Sequence, residues 1–398
     1  MERLIKFALL KAFILVCVSG FAQQAEPVYS ITRQVRDFDW YEKQAKAWKQ
    51  EIDNGTTNAM AWIYWNEANR MIITFGTNEE KEKWENNLGD YFMPLDSIMK
   101  LAETQIPNTF EYYYLKALIG VNWKEEKRGR EDYKYWIFKA QEIRPYDDLL
   151  LSDLLYCYIL ENDKENIRLV CEKWFESNEI PQDILITMYN MLISMEKNAV
   201  LLVYGDNDTF PCWVLQYAKN IRPDVLVMNI SSSACNSIYR KNVFEENGIK
   251  PLYNENDSTV HLTEQQIFKH LVENVKDRPL YVSAFVWNEV YKEYKNNMYF
   301  TGLAFKYSPK PFNNLAVLRD NVENKFLLDF LKQRFHTTYA QSVVNLINGG
   351  YLSAFWQLFN HYKQIGEKDK AQKIKEFAIT VARDSELTEW MNYFEQLK

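Results

Sequence analysis

The stretch from Ala199 to Ile230 constrains this chain more than any other. Ala199-Val200-Leu201-Leu202-Val203-Tyr204 is a short, nearly unbroken apolar run, the pattern of a strand buried on both faces. Gly205-Asp206-Asn207-Asp208-Thr209 follows as an acidic turn. Phe210 to Lys219 then suits a helix, with Asp208 or Thr209 as N-cap and Pro211 tolerated in the first turn. A second apolar run, Val225 to Ile230, completes the series. Strand, turn, helix, strand is a βαβ unit with a right-handed crossover, and open α/β sheets bind ligands beyond the carboxyl ends of their strands. Residues 205–209 are therefore the first place to look for a site.

The same character extends over residues 196–310. Leu280–Ala284 reads as a third strand, entered through the turn Asp277-Arg278-Pro279, and helices are expected near Ser233–Asn247 and Thr263–Val275. Residues 36–195 read instead as successive helices, with aromatic and small residues at helical spacing in Trp40–Lys49 and Ala59–Met71. Leu115, Ala117 and Leu118 fall in another helix, followed by Tyr133, Trp136, Ala140 and Ile143. At 151–181, Leu151, Leu154 and Tyr158, then Asn162-Asp163, then Ile167, Cys171 and Trp174 follow the spacing of a tetratricopeptide hairpin. Residues 311–398 return to that pattern, with Gly366-Glu367 as the turn before Ala371 and Ala378. The expected fold is mixed α and α/β, with tetratricopeptide-like helical repeats flanking a small parallel-sheet α/β module.

Residues 1–22 are expected to be a signal peptide rather than fold. Arg3, Lys6 and Lys11 precede the apolar stretch Phe13–Val18, and Ala22 stands at the cleavage position. Val16 before Cys17 does not suit a lipoprotein box. The mature chain has no later transmembrane segment by composition, so an exported protein, periplasmic or at the cell surface, is expected. Removing those residues takes the net charge from −7 to about −9, and no basic block argues for nucleic acid. Cys157, Cys171, Cys212 and Cys235 are too few and scattered for a disulfide framework. A Cys157–Cys171 pair and free buried thiols both remain open. None of His261, His270, His336 and His361 has a metal-ligand spacing partner. His270, on an amphipathic helix, reads as a surface or packing residue.

At residues 200–231 the run VLLVYGDNDTFPCWVLQYAKNIRPDVLVMNIS resembles the soluble half of a bacterial membrane-protein family related to the transmembrane protein O-mannosyltransferases. Arg222 and Asp224 before Val225–Asn229, Arg278-Pro279-Leu280-Tyr281-Val282, and Tyr299–Phe305 (YFTGLAF) are similar to further elements of that family. The resemblance spans roughly residues 195–398. It implies the fold and an extracytoplasmic location. It also implies that glycosyl transfer resides in a membrane half for which this chain has no counterpart, so transferase activity does not carry over. Cys212 and Val214 depart from the family's usual leucine and aromatic.

The acidic turn admits three uses. Asp206, Asn207, Asp208 and Thr209 can cap the helix and order the turn, with Gly205 supplying an unusual backbone angle. They can instead bind a ligand, sugar hydroxyls or a hard cation such as calcium or magnesium, with Asn229 and Ser231 at the neighbouring strand end sharing the crevice. Catalysis is the third use, but Asp224 belongs to the opposite end of its strand. Glu255 and Asp257 lie in a polar loop, and no histidine is placed to activate a serine. The abundant aromatics (12 Trp, 26 Tyr and 23 Phe), spread along the chain, read as knobs on large helical faces, and a surplus also suits the lining of a groove. The resulting expectation is an envelope binding or scaffold protein recognising a protein or glycan, with no assigned catalytic residue. The alternative is an enzyme or accessory subunit acting on glycoconjugates at Asp206-Asn207-Asp208.

Overall fold

A computed structural model describes residues 25–80, 82, 95–120, 126–252, 262–333, 335, 337 and 339–397. The expected signal peptide, Glu255, Asp257, His261 and His336 lie outside the described residues. Those residues fall into two compact units, one ending at Arg144 and the other beginning at Pro145.

The first unit is helical. Helices α1 (Phe38–Asp53) and α2 (Met60–Phe75) form a hairpin, and Asp37 caps α1 by accepting the Trp40 N–H at 2.8 Å. Tyr41, Ala45, Trp48 and Ile52 recur at the three- and four-residue spacing of one helical face and are buried. Helices α3 (Leu95–Gln105), α4 (Phe110–Ile119) and α5 (Glu126–Ile143) follow, with Thr109 as the N-cap of α4. Arg144 fixes the end of α5, pairing with Glu111 and laying its guanidinium 3.6 Å above the Phe110 ring.

The second unit opens with the hairpin expected at 151–181. Helices α6 (Leu151–Glu161) and α7 (Lys164–Ser177) are joined through Asn162, which takes the left-handed conformation (φ 58°), and Asp163, which caps α7. Helix α8 (Gln182–Ser194) leads into strand β1 (Val200–Val203), helix α9 (Asp206–Lys219) and strand β2 (Leu226–Asn229). Helices α10 (Ile230–Cys235), α11 (Ser237–Glu246) and α12 (Glu264–Asn274) precede strand β3 (Leu280–Ser283). The three strands are parallel in the order β2-β1-β3 and register Leu202 opposite both Met228 and Val282. Every residue of β1 is buried, as its unbroken apolar sequence requires.

The sheet is larger than the expected parallel one. Strands β4 (Met298–Phe300) and β5 (Ala304–Tyr307) form a hairpin that extends it antiparallel to β3, giving a mixed five-stranded sheet. The hairpin turns at Gly302 (φ 124°), where a Cβ would meet the Phe326 ring at 3.1 Å. Helices α13 (Asn314–Asp320), α14 (Gln341–Gly349), α15 (Leu352–Gln364), α16 (Lys368–Asp384) and α17 (Thr388–Gln396) complete the chain, and Gly366 (φ 81°) turns α15 into α16.

The α/β module is embedded in helices. Helix α9 packs on α7 and α8, with Phe210 bridging the Trp174 and Trp213 rings at 5.4 and 5.8 Å. Asn190 of α8 donates to the Leu327 carbonyl and the Tyr351 hydroxyl, joining the C-terminal helices to the same core. Cys157, Cys171 and Cys212 are buried, whereas Cys235 is exposed, which corrects the expectation of burial for that residue. His270 is a packing residue, stacked on Phe244 and bonded through Nε2 to the Lys250 carbonyl at 2.6 Å.

Candidate functional site

The carboxyl ends of β1, β2 and β3 meet the first turns of α9 and α10. Asp208 lies at the centre of this junction, in the first turn of α9, and is 3 % exposed. Its carboxylate accepts the N–H of Gly205 at 2.9 Å and that of Tyr204 at 3.2 Å, and the Ser283 hydroxyl at the tip of β3 bonds to the same group. Burial pushes the Asp208 carboxyl up to about 6, although each of these hydrogen bonds pulls it down.

This arrangement corrects two expectations. The N-cap of α9 is Gly205, not Asp208 or Thr209, and Asp208 stands three residues inside the helix. From there it reaches back to the N–H of Gly205, one half of a capping box; glycine has no side chain to return the bond. Nor does Gly205 supply an unusual angle. Its φ of −105° and ψ of −177° are extended backbone open to any residue.

Asn229, the last residue of β2, is 7 % exposed and fully engaged. Its Nδ2 donates to the Tyr204 carbonyl at 3.0 Å and to Thr209 Oγ1 at 2.9 Å, while Oδ1 accepts the Ser232 N–H at 2.8 Å and so caps α10. The Asn229 N–H donates to the Tyr239 hydroxyl at 3.0 Å. Thus Asp208, Thr209 and Asn229 do converge, as the adjacent strand ends implied. They converge on one another and on the backbone.

The remaining candidates differ in access. Asp206 is exposed, Asn207 half-buried and Thr209 buried at the start of α9; Ser231 is half-buried in α10. The oxygens of Asp208 face backbone N–H groups, whose dipoles supply its counter-charge. Among the described residues no cluster of three or more His, Cys, Asp and Glu is placed to hold a metal.

Residues 184–236 match the family model described as TMEM260-associated domain 2. No curated protein matches the chain. The TMEM260-associated match runs from α8 through the whole βαβ unit into α10, so it contains Asp208, Thr209 and Asn229 but not Ser283. It also contains Arg222 and Asp224, at the opposite ends of the strands. Arg222 lies in the turn before β2 (φ 47°) and donates through Nη1 to the Leu192 and Met195 carbonyls, capping the last turn of α8. Through Nε and Nη2 it grips Asp224 at 2.8 and 2.9 Å, which holds that carboxyl well below the usual carboxylate range. Asp224 in turn accepts the Asn198 N–H at 2.9 Å ahead of β1. The matched segment thus carries a polar clasp at each end of the strands.

Ser283 and Tyr239 escaped notice in the sequence because their partners lie far along the chain. Ser283 had one available signal, as the terminal residue of the third apolar strand.

Proposed function

We propose that this chain is an exported binding or scaffold protein of a bacterial envelope, recognising a protein or glycan partner through its helical hairpins and α/β module. One observation carries this reading. The buried carboxylate of the acidic turn is committed to closing the fold, which leaves recognition by surfaces as the better-supported role. The match to TMEM260-associated domain 2 agrees with a relation to O-mannosyltransferase-related membrane proteins. Among the described residues no helix is long and apolar enough to cross a membrane.

The raised Asp208 carboxyl is what favours the second reading, an enzyme or accessory subunit acting on glycoconjugates, since a group titrating near neutrality suits proton transfer. The two readings separate cleanly in one experiment. The chain lacking residues 1–22 is incubated with envelope glycoconjugates, and both retention and release of product are measured. Saturable retention without turnover, unchanged in Asp206→Asn, supports recognition. Turnover that disappears in Asp208→Asn while the melting temperature is kept overturns it in favour of the enzyme.

A further inference from the structure

The N-terminal helical unit contains an open cleft of about 480 Å³ between α4, α5 and the end of α3. That volume lies within the ~300–1,000 Å³ usual for small-molecule sites. Four aromatic side chains line it: Tyr112, Tyr113, Tyr135 and Trp136. Each helix contributes two, because adjacent residues at 112–113 and 135–136 straddle the seam between α4 and α5.

The rings are held in place before any ligand arrives. Tyr113 lies nearly parallel to Trp136 (10°, centroids 5.7 Å apart), and its hydroxyl donates to Asn108 Oδ1 at 3.0 Å. Lys116 Nζ sits 4.0 Å from the centre of a Trp136 ring and donates to the Tyr112 hydroxyl at 3.2 Å. Tyr135 packs edge-on against Trp136 and remains 52 % exposed. A large ring left this open at the mouth of a cleft is an apolar platform awaiting a flat partner.

The polar groups narrow the chemistry. Lys116 and Lys139 are balanced by Glu103 and Glu142 on the same walls, so the cleft carries no net charge to select an ionic ligand. Lys139 is already paired with Glu142 at 2.7 Å. The Glu103 carboxylate, by contrast, is exposed and makes no ion pair or hydrogen bond among the described residues. Rigid aromatic faces beside carboxylate and amide acceptors match a molecule that has flat C–H faces and a rim of hydroxyl donors. The electron-rich ring faces attract polarised C–H groups, and the acceptors take the hydroxyls. Preorganised rings also reduce the ordering cost of binding a weakly held ligand.

We propose that this cleft is a binding site for a neutral saccharide, a short stretch of uncharged glycan laid on the exposed Tyr135 ring, which Trp136 supports edge-on. The proposal deepens the binding function above and rests on it, assigning the glycan class and the surface.

The test uses the chain lacking residues 1–22 with cellotriose, maltotriose and mannotriose as neutral probes and trigalacturonate as a charged comparator. Binding is read by calorimetry and by saturation-transfer NMR. Saturable binding of at least one neutral trisaccharide is expected, weakened about tenfold or more in Tyr135→Ala and in Trp136→Ala. Tyr135 is exposed, so its variant should keep the wild-type melting temperature. Trp136→Phe should retain part of the binding, since it keeps a ring. Binding that is equal in wild type and both alanine variants overturns the cleft while leaving a glycan-binding function standing. Preference for trigalacturonate overturns the neutral class. No binding of any probe overturns the saccharide proposal, and the retention experiment above then decides the broader reading by itself.

Discussion

Replacing Asp208 by Ala tests whether the acidic turn is a clasp. The substitution removes the acceptor for two backbone N–H groups, Tyr204 and Gly205, and for the Ser283 hydroxyl. Each buried donor left without a partner costs ~1–3 kcal/mol. Part of that loss is offset because the wild-type charge is itself expensive to bury. The rise of the carboxyl from 3.8 to about 6 corresponds to ~3 kcal/mol at 1.36 kcal/mol per pH unit. The net expectation is a loss of roughly 2 kcal/mol at pH 7, against a few tenths of a kcal/mol to ~1 kcal/mol for Asp206→Ala, an exposed first-turn residue near the helix dipole. The pH dependence has a definite sign. Because the folded-state value is raised, the proton-linked contribution is fully present below about 3.8 and is lost as pH rises through about 6. Wild type should therefore gain up to ~3 kcal/mol on Asp208→Ala between pH 7 and pH 4. Urea unfolding gives the difference, and amide exchange of peptides covering residues 199–219 reports the second unit alone. A penalty for Asp208→Ala no larger than for Asp206→Ala, or a difference that stays flat with pH, refutes the reasoning.

Three further outcomes follow from the same contacts. Arg222→Lys should cost at least ~2 kcal/mol in urea unfolding, since an ammonium cannot cap Leu192 and Met195 while also gripping Asp224 through two nitrogens. Asp224→Asn should flatten the acid limb of the stability curve. Its depressed carboxyl contributes stability above the usual carboxylate range that is lost as pH falls, so a variant with an unchanged acid limb would exclude that pairing. Gly205→Ala should cost no more than ~1 kcal/mol, because alanine is a poorer N-cap than glycine but the backbone there is extended and a Cβ meets open space. Gly302→Ala should destabilise by ~1–3 kcal/mol through its positive φ and the Phe326 ring; comparable melting temperatures for the two variants would contradict this contrast.

The central fold was legible because β1, β2 and β3 are apolar runs and α9 sits between two of them. Strands β4 and β5 were harder to see. Met298-Tyr299-Phe300 and Ala304-Phe305-Lys306-Tyr307 are short and mostly half-buried, so they present neither a continuous apolar run nor a clear alternation. Within the junction, Asn229 could be placed because it ends a visible strand. The N-cap was misread because Asp208 is the commoner capping residue, whereas here it occupies the third helical position and glycine takes the cap. Ser283 needed the third dimension, since only sheet order brings β3 beside β1. Trp136 was visible as one residue of a helical face. That it shares a cleft with Tyr112 and Tyr113 depends on how α4 and α5 pair.

The position of β1 sets a rule for how the chain is made. It lies between β2 and β3, and its contacts with the β3 region join residues about 80 positions apart, as in the bond from Arg278 to the Asn198 carbonyl. During synthesis β1 and β2 emerge together, while one edge of β1 stays unpaired until Leu280–Ser283 follows. That edge belongs to four wholly apolar residues, an invitation to pair with another copy. A chain cut short before residue 280 should therefore self-associate, whereas in the intact chain β3 covers that edge.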